Sequence, residues 1–406
     1  MCWSKIEGSH PKRAQRMCLL CFMRIAVLSV FSPYRGGIAQ FNQSMCAAFE
    51  SEGHDVVKVN FSRQYPQLLF PGKSQFEGNG KAMKNALLDS INPLSWNRTA
   101  RFISNSKPHL LVVPFWQPLL LPALTAVIKS TKAQVPGIRV IGLLHNATSH
   151  ESQFFAAYLI KKYLWHLDSA WTLSAAVAAH PLVADNLKSV QKLFHPVYTH
   201  FPALHDKAVA RQKLHLPAAG TAHVLLFFGL VRGYKGLDVL MQAMPMLQEM
   251  DKPVHLLIAG ECYEDWSKYE RLIVEAKIQD ATHVHSGFIE NADVPMFFGA
   301  ADLVCLPYRS ASQSGVTAIA IQYGMPVVAS AVGGLTEYFE GNSLGTLCKP
   351  NDPHALAKAV RNQLAQPCLA EKEIESVQQR FSWQSFARQA LKNEAPSVKK
   401  DSSKAG

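Results

Sequence analysis

Three glycine- and hydroxyl-rich segments each stand between an apolar, β-branched run and a stretch with helical periodicity, and each carries residue types that hold an anion. The segment Phe227-Phe-Gly-Leu-Val-Arg-Gly-Tyr-Lys-Gly236 puts Arg232 and Lys235 beside the start of the next helix, close to Gly229. A diphosphate needs that combination, since it is met by forked or mobile cations and by free backbone N–H groups at a helix N-terminus. Basic loop residues are often merely solvated, but their position between strand and helix favours the binding role. Leu306-Pro-Tyr-Arg-Ser-Ala-Ser-Gln-Ser-Gly315 presents hydroxyls and N–H groups, and either Ser312 or Ser314 is able to cap the helix that follows. Gly333-Gly-Leu-Thr-Glu337 adds another glycine turn ahead of a helix. Three such turns at the carboxyl edge of one sheet would form a nucleotide site.

A fourth turn, Phe31-Ser-Pro-Tyr-Arg-Gly-Gly37, follows the first strand of the chain. Its spacing is not G-x-G-x-x-G, which disfavours a nicotinamide dinucleotide, and a structural tight turn accounts for Gly36 and Gly37 equally well. His145 closes the run Ile138 to Leu144, where a histidine serves either chemistry or a purely structural hydrogen bond. Cys18 and Cys21 form C-x-x-C, but no second pair stands at metal spacing, so no metal site is expected.

These turns need a parallel sheet to carry them. Arg24 to Val30, Val56 to Asn60, Leu110 to Val113, Ile138 to Leu144 and Ser169 to Leu173 read as strands. Helical stretches separate them, such as the one with Ile38, Phe41, Met45, Ala48 and Phe49 on one face. The pattern restarts with His223 to Phe228, Val254 to Ala259, Thr282 to Ser286, Asp302 to Leu306 and Pro326 to Ser330. The expected class is therefore α/β, with two doubly wound, Rossmann-like domains at residues 23–200 and 222–380. Residues 201–221, with two prolines and little periodicity, read as a linker; 381–394 read as a helix returning to the first domain, and 395–406 as a polar, disordered tail. The insert Phe61 to Leu94 is long and partly apolar (Leu68, Leu69, Phe70, Pro71), as functional loops often are.

The bulk properties agree with a globular protein. The chain has 406 residues, 48% hydrophobic and 17% charged, long enough for two cores. Eight scattered cysteines, several inside apolar runs, fit a reducing compartment. Residues 1–22 read as a dispensable extension with Met23 as the functional start: Lys12, Arg13 and Arg16 precede the apolar Met17 to Phe22 as in a signal peptide, but Arg24 interrupts the run and cleavage there would remove the first strand. The net charge of +11 is uneven. Residues 24–198 hold 17 Lys and Arg against 8 Asp and Glu, whereas residues 199–391 hold 16 against 19. A basic first half is either an ordinary solvated surface or one that faces anionic lipid or a phosphorylated acceptor. Nucleic acid is disfavoured, because no basic helix or aromatic-interleaved basic motif is present.

Taken together, the motifs resemble glycosyltransferase family 4, the retaining GT-B enzymes (group 1 glycosyltransferases), over Arg24 to about Leu391. Gly36 and Gly37 match the family's G-G turn, His145 its strand-end histidine, Arg232 and Lys235 its phosphate-binding pair, Gly333 to Glu337 its G-G-x-x-E turn, and Phe381 to Ala387 its closing Phe-Ser-Trp-x-x-x-A helix. One departure stands out: Ala311 and Ile319 occupy the places of the family's Glu-x7-Glu pair. A branch with S-Q-S-G at this place is regarded as transferases, so Gln313, Ser314 and Gly315 are expected to replace the carboxylates.

The resemblance implies a hexosyl-type transferase that moves a sugar from a UDP- or GDP-sugar to a glycan or lipid-linked acceptor, with retention, in cell-surface polysaccharide synthesis. His145, Arg232 and Lys235 would be catalytic; Gly36, Gly37, Gly229, Glu261, Phe288, Gln313, Ser314, Gly315, Val316, Gly333 and Gly334 would line the donor site. Neither a metal nor any other cofactor is expected. The rival readings are a noncatalytic nucleotide-sugar-binding relative, motivated by the missing Glu pair, and a GT-B epimerase or phosphorylase. The segment Tyr158-Leu-Ile-Lys-Lys-Tyr-Leu-Trp165 has a composition suited to an anionic headgroup boundary, which would place the enzyme in the cytoplasm on the inner face of the membrane with a lipid-diphosphate acceptor; a half-buried helix explains it almost as well.

Overall fold

The computed structural model describes residues 22–34, 36–64, 76, 85–146, 153–366 and 369–394. Leu68 to Pro71, the Cys18–Cys21 pair and the tail 395–406 lie outside them. Seven parallel strands build the first sheet: β1 (Arg24–Leu28), β2 (Asp55–Arg63), β3 (Ala86–Asp89), β4 (Leu110–Phe115), β5 (Arg139–Leu144), β6 (Ser169–Thr172) and β7 (Val190–Lys192), in the order β3-β2-β1-β4-β5-β6-β7. Six parallel strands build the second: β8 (His223–Phe228), β9 (Val254–Gly260), β10 (Thr282–Ser286), β11 (Leu303–Leu306), β12 (Val327–Ser330) and β13 (Gly345–Cys348), in the order β10-β9-β8-β11-β12-β13. Both are doubly wound, Rossmann-like sheets, and in each the order reverses beside its first strand, between β1 and β4 and between β8 and β11.

The central strands are apolar along their whole length because helices cover both faces. All six residues of β4 are buried, as are all four of β11. The strands missing from the sequence reading are short and lie at or near the sheet edges. Gly345, Thr346, Val190 and Gln191 are only half-buried, so they carry no apolar run to announce them. The insert after Phe61 also contributes structure, since β2 runs on to Arg63 and β3 pairs with it in parallel.

The segment 201–221 is not the featureless linker expected. Lys207–Lys213 is a helix capped by Asp206, whose side chain accepts from the N–H groups of Ala208 and Val209. Leu214 and Leu216 enter the core of the second domain. Arg211, only 1% exposed, ties the segment down: its Nε donates to Ala300 O (2.9 Å), its Nη1 to Ala218 O and Ala222 O (both 3.1 Å), and its Nη2 to Asp302 Oδ2 (2.5 Å). Asp302 also accepts from Lys207 (2.7 Å) and from the Val224 N–H (2.8 Å). Burial alone would raise its pKa, but these donors and the two cations hold it below the usual carboxylate value. The periodicity was invisible because seven residues make only two turns and the buried members of the helix are an alanine and an arginine, Ala210 and Arg211.

Removing one partner of a buried, fully bonded pair leaves the other charge desolvated, so Arg211→Ala should lower the unfolding free energy by about 3–5 kcal/mol. Urea titration followed by circular dichroism measures this, and a loss below about 1 kcal/mol would show that the network contributes little.

Candidate functional site

The loop that leaves β8 is held from beneath. The Gly229 N–H donates to Ala259 O (2.8 Å) and the Val231 N–H to Glu261 O (2.9 Å). Arg309 grips Asp238 through both Nη atoms (2.9 and 2.6 Å) and donates to Gly233 O, while Glu264 accepts from the Gly233 N–H. Gly236, with φ +68°, opens the helix Leu237–Leu247, and a Cβ there would lie 2.0 Å from Pro307 O. No other residue fits that approach.

These bonds leave two cations without acidic partners among the described residues. Arg232 is exposed and stacks over Tyr263, its Cζ 5.0 Å from the ring centroid. Lys235 is buried at 9% exposure, its Nζ 5.5 Å from the Tyr308 ring. Burial, and secondarily the charge of Arg232, push its ammonium below the ordinary lysine pKa, with Tyr234 opposing. Its Nζ and Val316 both border the α-carbon of Gly229, at 3.1 and 3.6 Å from where a Cβ would stand. Glu261 accepts from the Tyr263 hydroxyl (3.3 Å), and Phe288 is 55% exposed beside the end of β10.

The loop after β11 faces the first domain. Ser314 caps the helix Gly315–Gln322, its Oγ accepting from the Thr317 N–H (3.2 Å), and it also shares a hydrogen bond with the Tyr308 hydroxyl. Ser312 Oγ donates to Asn146 Oδ1 (3.0 Å), and Gln313 Nε2 lies 3.4 Å from His145 Nδ1. The carboxyl ends of the two sheets therefore meet. Ile319, in one of the two Glu places, is in the apolar core at 6% exposure.

The Gly333–Gly334 turn is shaped by its neighbours. Gly333 has φ +46°, and a Cβ on it would lie 1.8 Å from Ala311 O; a Cβ on Gly334 would meet Ser312 O at 2.3 Å and Ser174 Cβ, across the domain boundary, at 2.8 Å. Glu337, left unassigned among the candidate residues, joins the domains: Oε1 accepts from the Ala175 N–H (2.7 Å) and Oε2 pairs with Lys192 (3.1 Å).

On the first domain Gly36 (φ +106°) precedes the helix Gly37–Ser51. Two residues absent from the sequence reading sit here. Tyr198 is buried, and its hydroxyl lies between the two helix starts, 3.7 Å from a Cβ built on Gly37 and 3.1 Å from one on Gly315. The same hydroxyl is 3.4 Å from His195 Nε2, and His195 Nδ1 is 2.8 Å from Pro196 O. Both belong to an extended stretch without periodicity, so no pattern could mark them. Phe41 separates the two buried histidines, its ring centroid 5.1 Å from His145 and 5.2 Å from His195.

Residues 210–380 match the family model described as Glycosyl transferases group 1. The matched span is essentially the second domain, less than half of the chain. It is 31% identical over 179 residues to the glycogen synthase of Mycobacterium tuberculosis (strain ATCC 25618 / H37Rv), a match spanning 42% of each chain. The chain thus covers less than half the length of that relative. A longer match, 25% identical over 255 residues, joins 60% of this chain to 67% of the GDP-mannose:glycolipid 4-beta-D-mannosyltransferase of Xanthomonas campestris pv. campestris. Solved structures align over both domains. Sucrose-phosphate synthase from Thermosynechococcus elongatus superposes with a TM-score of 0.64 at 21% identity, over 91% of this chain and 98% of that one. Anabaena HepE in complex with UDP-glucose gives 0.66 at 15%, over 91% and 98%. The fold is GT-B, and the cations Arg232 and Lys235 lie within the span that the family model matches.

The two buried histidines of the cleft make its stability depend on pH. Burial first, then the neighbouring His195, depresses His145 to about 3; burial depresses His195 to about 4 against opposing backbone bonds. Both stay neutral in the folded protein, whereas the unfolded chain takes up protons near 6.5, so stability falls as pH drops through that value towards the folded pKa values. Linkage gives about 2 kcal/mol per histidine between pH 6.5 and 5. Urea midpoints at the two pH values measure it, and His195→Gln should remove that residue's share while the other depressed histidines keep theirs.

Proposed function

We propose that the protein transfers a sugar from a UDP- or GDP-sugar to a glycan or lipid-linked acceptor, with retention of anomeric configuration, in cell-surface polysaccharide synthesis. The single observation that carries this reading is Lys235, a buried cation with no carboxylate partner among the described residues, beside the exposed Arg232 at the end of β8. Desolvating an ammonium is costly unless something offsets it, and a diphosphate supplies the missing charge. Two similar proteins, a GDP-mannose:glycolipid mannosyltransferase and one solved in complex with UDP-glucose, agree with a nucleotide-sugar donor.

In this reading Arg232, Lys235 and the N–H groups at the starts of the helices Leu237–Leu247 and Gly315–Gln322 stabilise charge that builds on the leaving diphosphate. The sugar bond opens while the diphosphate accepts the proton of the incoming hydroxyl on the same face, so that configuration is kept. His145 lies on the opposite wall and meets the sugar. The scheme requires neither metal nor other cofactor. A noncatalytic binding role, suggested by Ile319 standing where a carboxylate was expected, differs in giving no product and no donor hydrolysis.

Lys235→Met should lower kcat/KM about 30- to 1000-fold, corresponding to about 2–4 kcal/mol of lost transition-state stabilisation, and Arg232→Ala should do the same. Because an unpaired buried charge destabilises the free protein, Lys235→Met should leave Tm unchanged or higher. Steady-state kinetics with the donor found by a thermal-shift screen of nucleotide sugars, and melts of the free variants, test both halves. Unaltered kcat/KM in both variants would move the site elsewhere.

The acceptor side is proposed to rest on an anionic membrane at the cytoplasmic face, where a lipid-diphosphate acceptor would be presented. Trp165 is 83% exposed and Tyr158 60% exposed on the helix Gln153–Trp165, flanked by exposed Lys161 and Lys162. No helix among the described residues is long and apolar enough to cross a membrane. Each such lysine adds about 1 kcal/mol near an anionic surface, so binding should be reversible and weakened by salt. Cosedimentation with vesicles containing phosphatidylserine should fall when Lys161 and Lys162 are both changed to Glu; equal recovery in the supernatant at low and high salt would favour a soluble acceptor.

A further inference from the structure

Two adjacent residues of the first domain, His145 and Asn146, are met by two adjacent residues of the second, Gln313 and Ser312. The first of these contacts is unusual in what it leaves undone. Gln313 Nε2 approaches His145 Nδ1 at 3.4 Å, whereas His145 Nε2 and Gln313 Oε1 are both buried atoms without a partner among the described residues. His145 itself is only 2% exposed and is wedged edge-on against Phe41.

We infer that Gln313 is a positioning residue that sets the tautomer of His145: its side-chain amide donates to Nδ1, which places the ring proton on Nε2 and leaves that N–H as a neutral donor for a hydroxyl of the bound sugar. The inference rests on the transferase reading for the identity of the ligand, but not for the tautomer. An amide nitrogen only donates, so the imidazole nitrogen facing it must be the unprotonated one. A neutral imidazole carries a single N–H, which is then on Nε2. Nothing near the ring favours the doubly protonated form, since Gln313 is uncharged and burial holds the ring neutral. The two atoms left over are one donor, the His145 Nε2–H, and one acceptor, Gln313 Oε1. Buried groups of this kind normally find partners, and a sugar hydroxyl, which both donates and accepts, has the chemistry to meet either.

The reverse amide orientation would put Gln313 Oε1 against Nδ1–H and turn His145 Nε2 into an acceptor. The two arrangements separate in a long-range 1H–15N spectrum of the 15N-histidine-labelled full-length protein without substrate, in which His145→Asn identifies the resonances. The expected pattern is a non-protonated Nδ1 and a protonated Nε2 that do not titrate between pH 5 and 8. Gln313→Glu replaces the donor by a carboxylate, so the proton should move to Nδ1 and the ring should begin to titrate inside that range. A protonated Nδ1 in the wild-type protein would overturn the assignment, and so would a Gln313→Glu spectrum identical to wild type. If Gln313→Glu does not fold, the wild-type pattern alone decides. Because no turnover is involved, this outcome is independent of the activity assay: no product and no donor hydrolysis with any nucleotide sugar would sink the transferase reading and leave the tautomer standing.

Discussion

A parallel sheet turns all its strand-to-helix loops to one end, and that constraint governs everything else in this molecule. Each loop at that end presents a helix start, with backbone N–H groups that have no partner inside the helix. In the second domain the loops after β8, β11 and β12 lie together for this reason, although almost eighty residues separate the first from the second. The first domain brings the starts of Gly37–Ser51 and Ala175–Ala178 to the opposing wall. Two such ends facing one another form a cleft lined by helix starts and their N–H donors, the arrangement that the proposed diphosphate would need.

Two buried cations show how differently the fold treats structure and site. Arg211 has backbone carbonyls and Asp302 about its guanidinium, so its charge is matched where it lies. Lys235 faces the Tyr308 ring and has no carboxylate partner among the described residues, and burial depresses its pKa. The loop that holds it is nevertheless rigid, because Arg309, Asp238 and Glu264 brace Gly233 from the other side. Rigid support around an unmatched charge keeps the charge in place without neutralising it.

The sheets and their turns were legible because continuous apolar runs and glycine turns are local signals. Arg232 and Lys235 could be named from sequence, since strand, glycine and helix start fall within ten residues. Contacts between domains could not. Glu337 reads locally as one more acidic residue in a first helical turn, and its partners, Ala175 and Lys192, are more than 140 residues away in sequence. Tyr198 and His195 lie in an extended stretch whose position follows from the packing of both domains. The G-G pair after β12 suggests a phosphate turn by its position, in a turn ahead of a helix at the carboxyl edge of the sheet. Its α-carbons are also packed against the Ala311 and Ser312 carbonyls, so close approach of backbone to backbone is enough to require glycine there.

The two sides of the domain junction are made of different chemistry. Behind the cleft, the helix Trp383–Leu391 lays Trp383 and Phe386 against Phe41 of the helix Gly37–Ser51, with ring centroids 5.0 and 5.8 Å apart, and Ala387, Ala390 and Leu391 are buried in the same cluster. At the front, the cross-domain bonds are polar: Ser312 to Asn146, Gln313 to His145, and the Ala175 N–H to Glu337. Parting the front exchanges protein hydrogen bonds for water bonds at a net cost of about 1 kcal/mol each. Parting the back exposes aromatic surface at about 25 cal/mol per Å2 with nothing in return. The aromatic packing between the domains therefore lies behind the cleft, and the mouth is where His145 Nε2 and Gln313 Oε1 have no partner among the described residues.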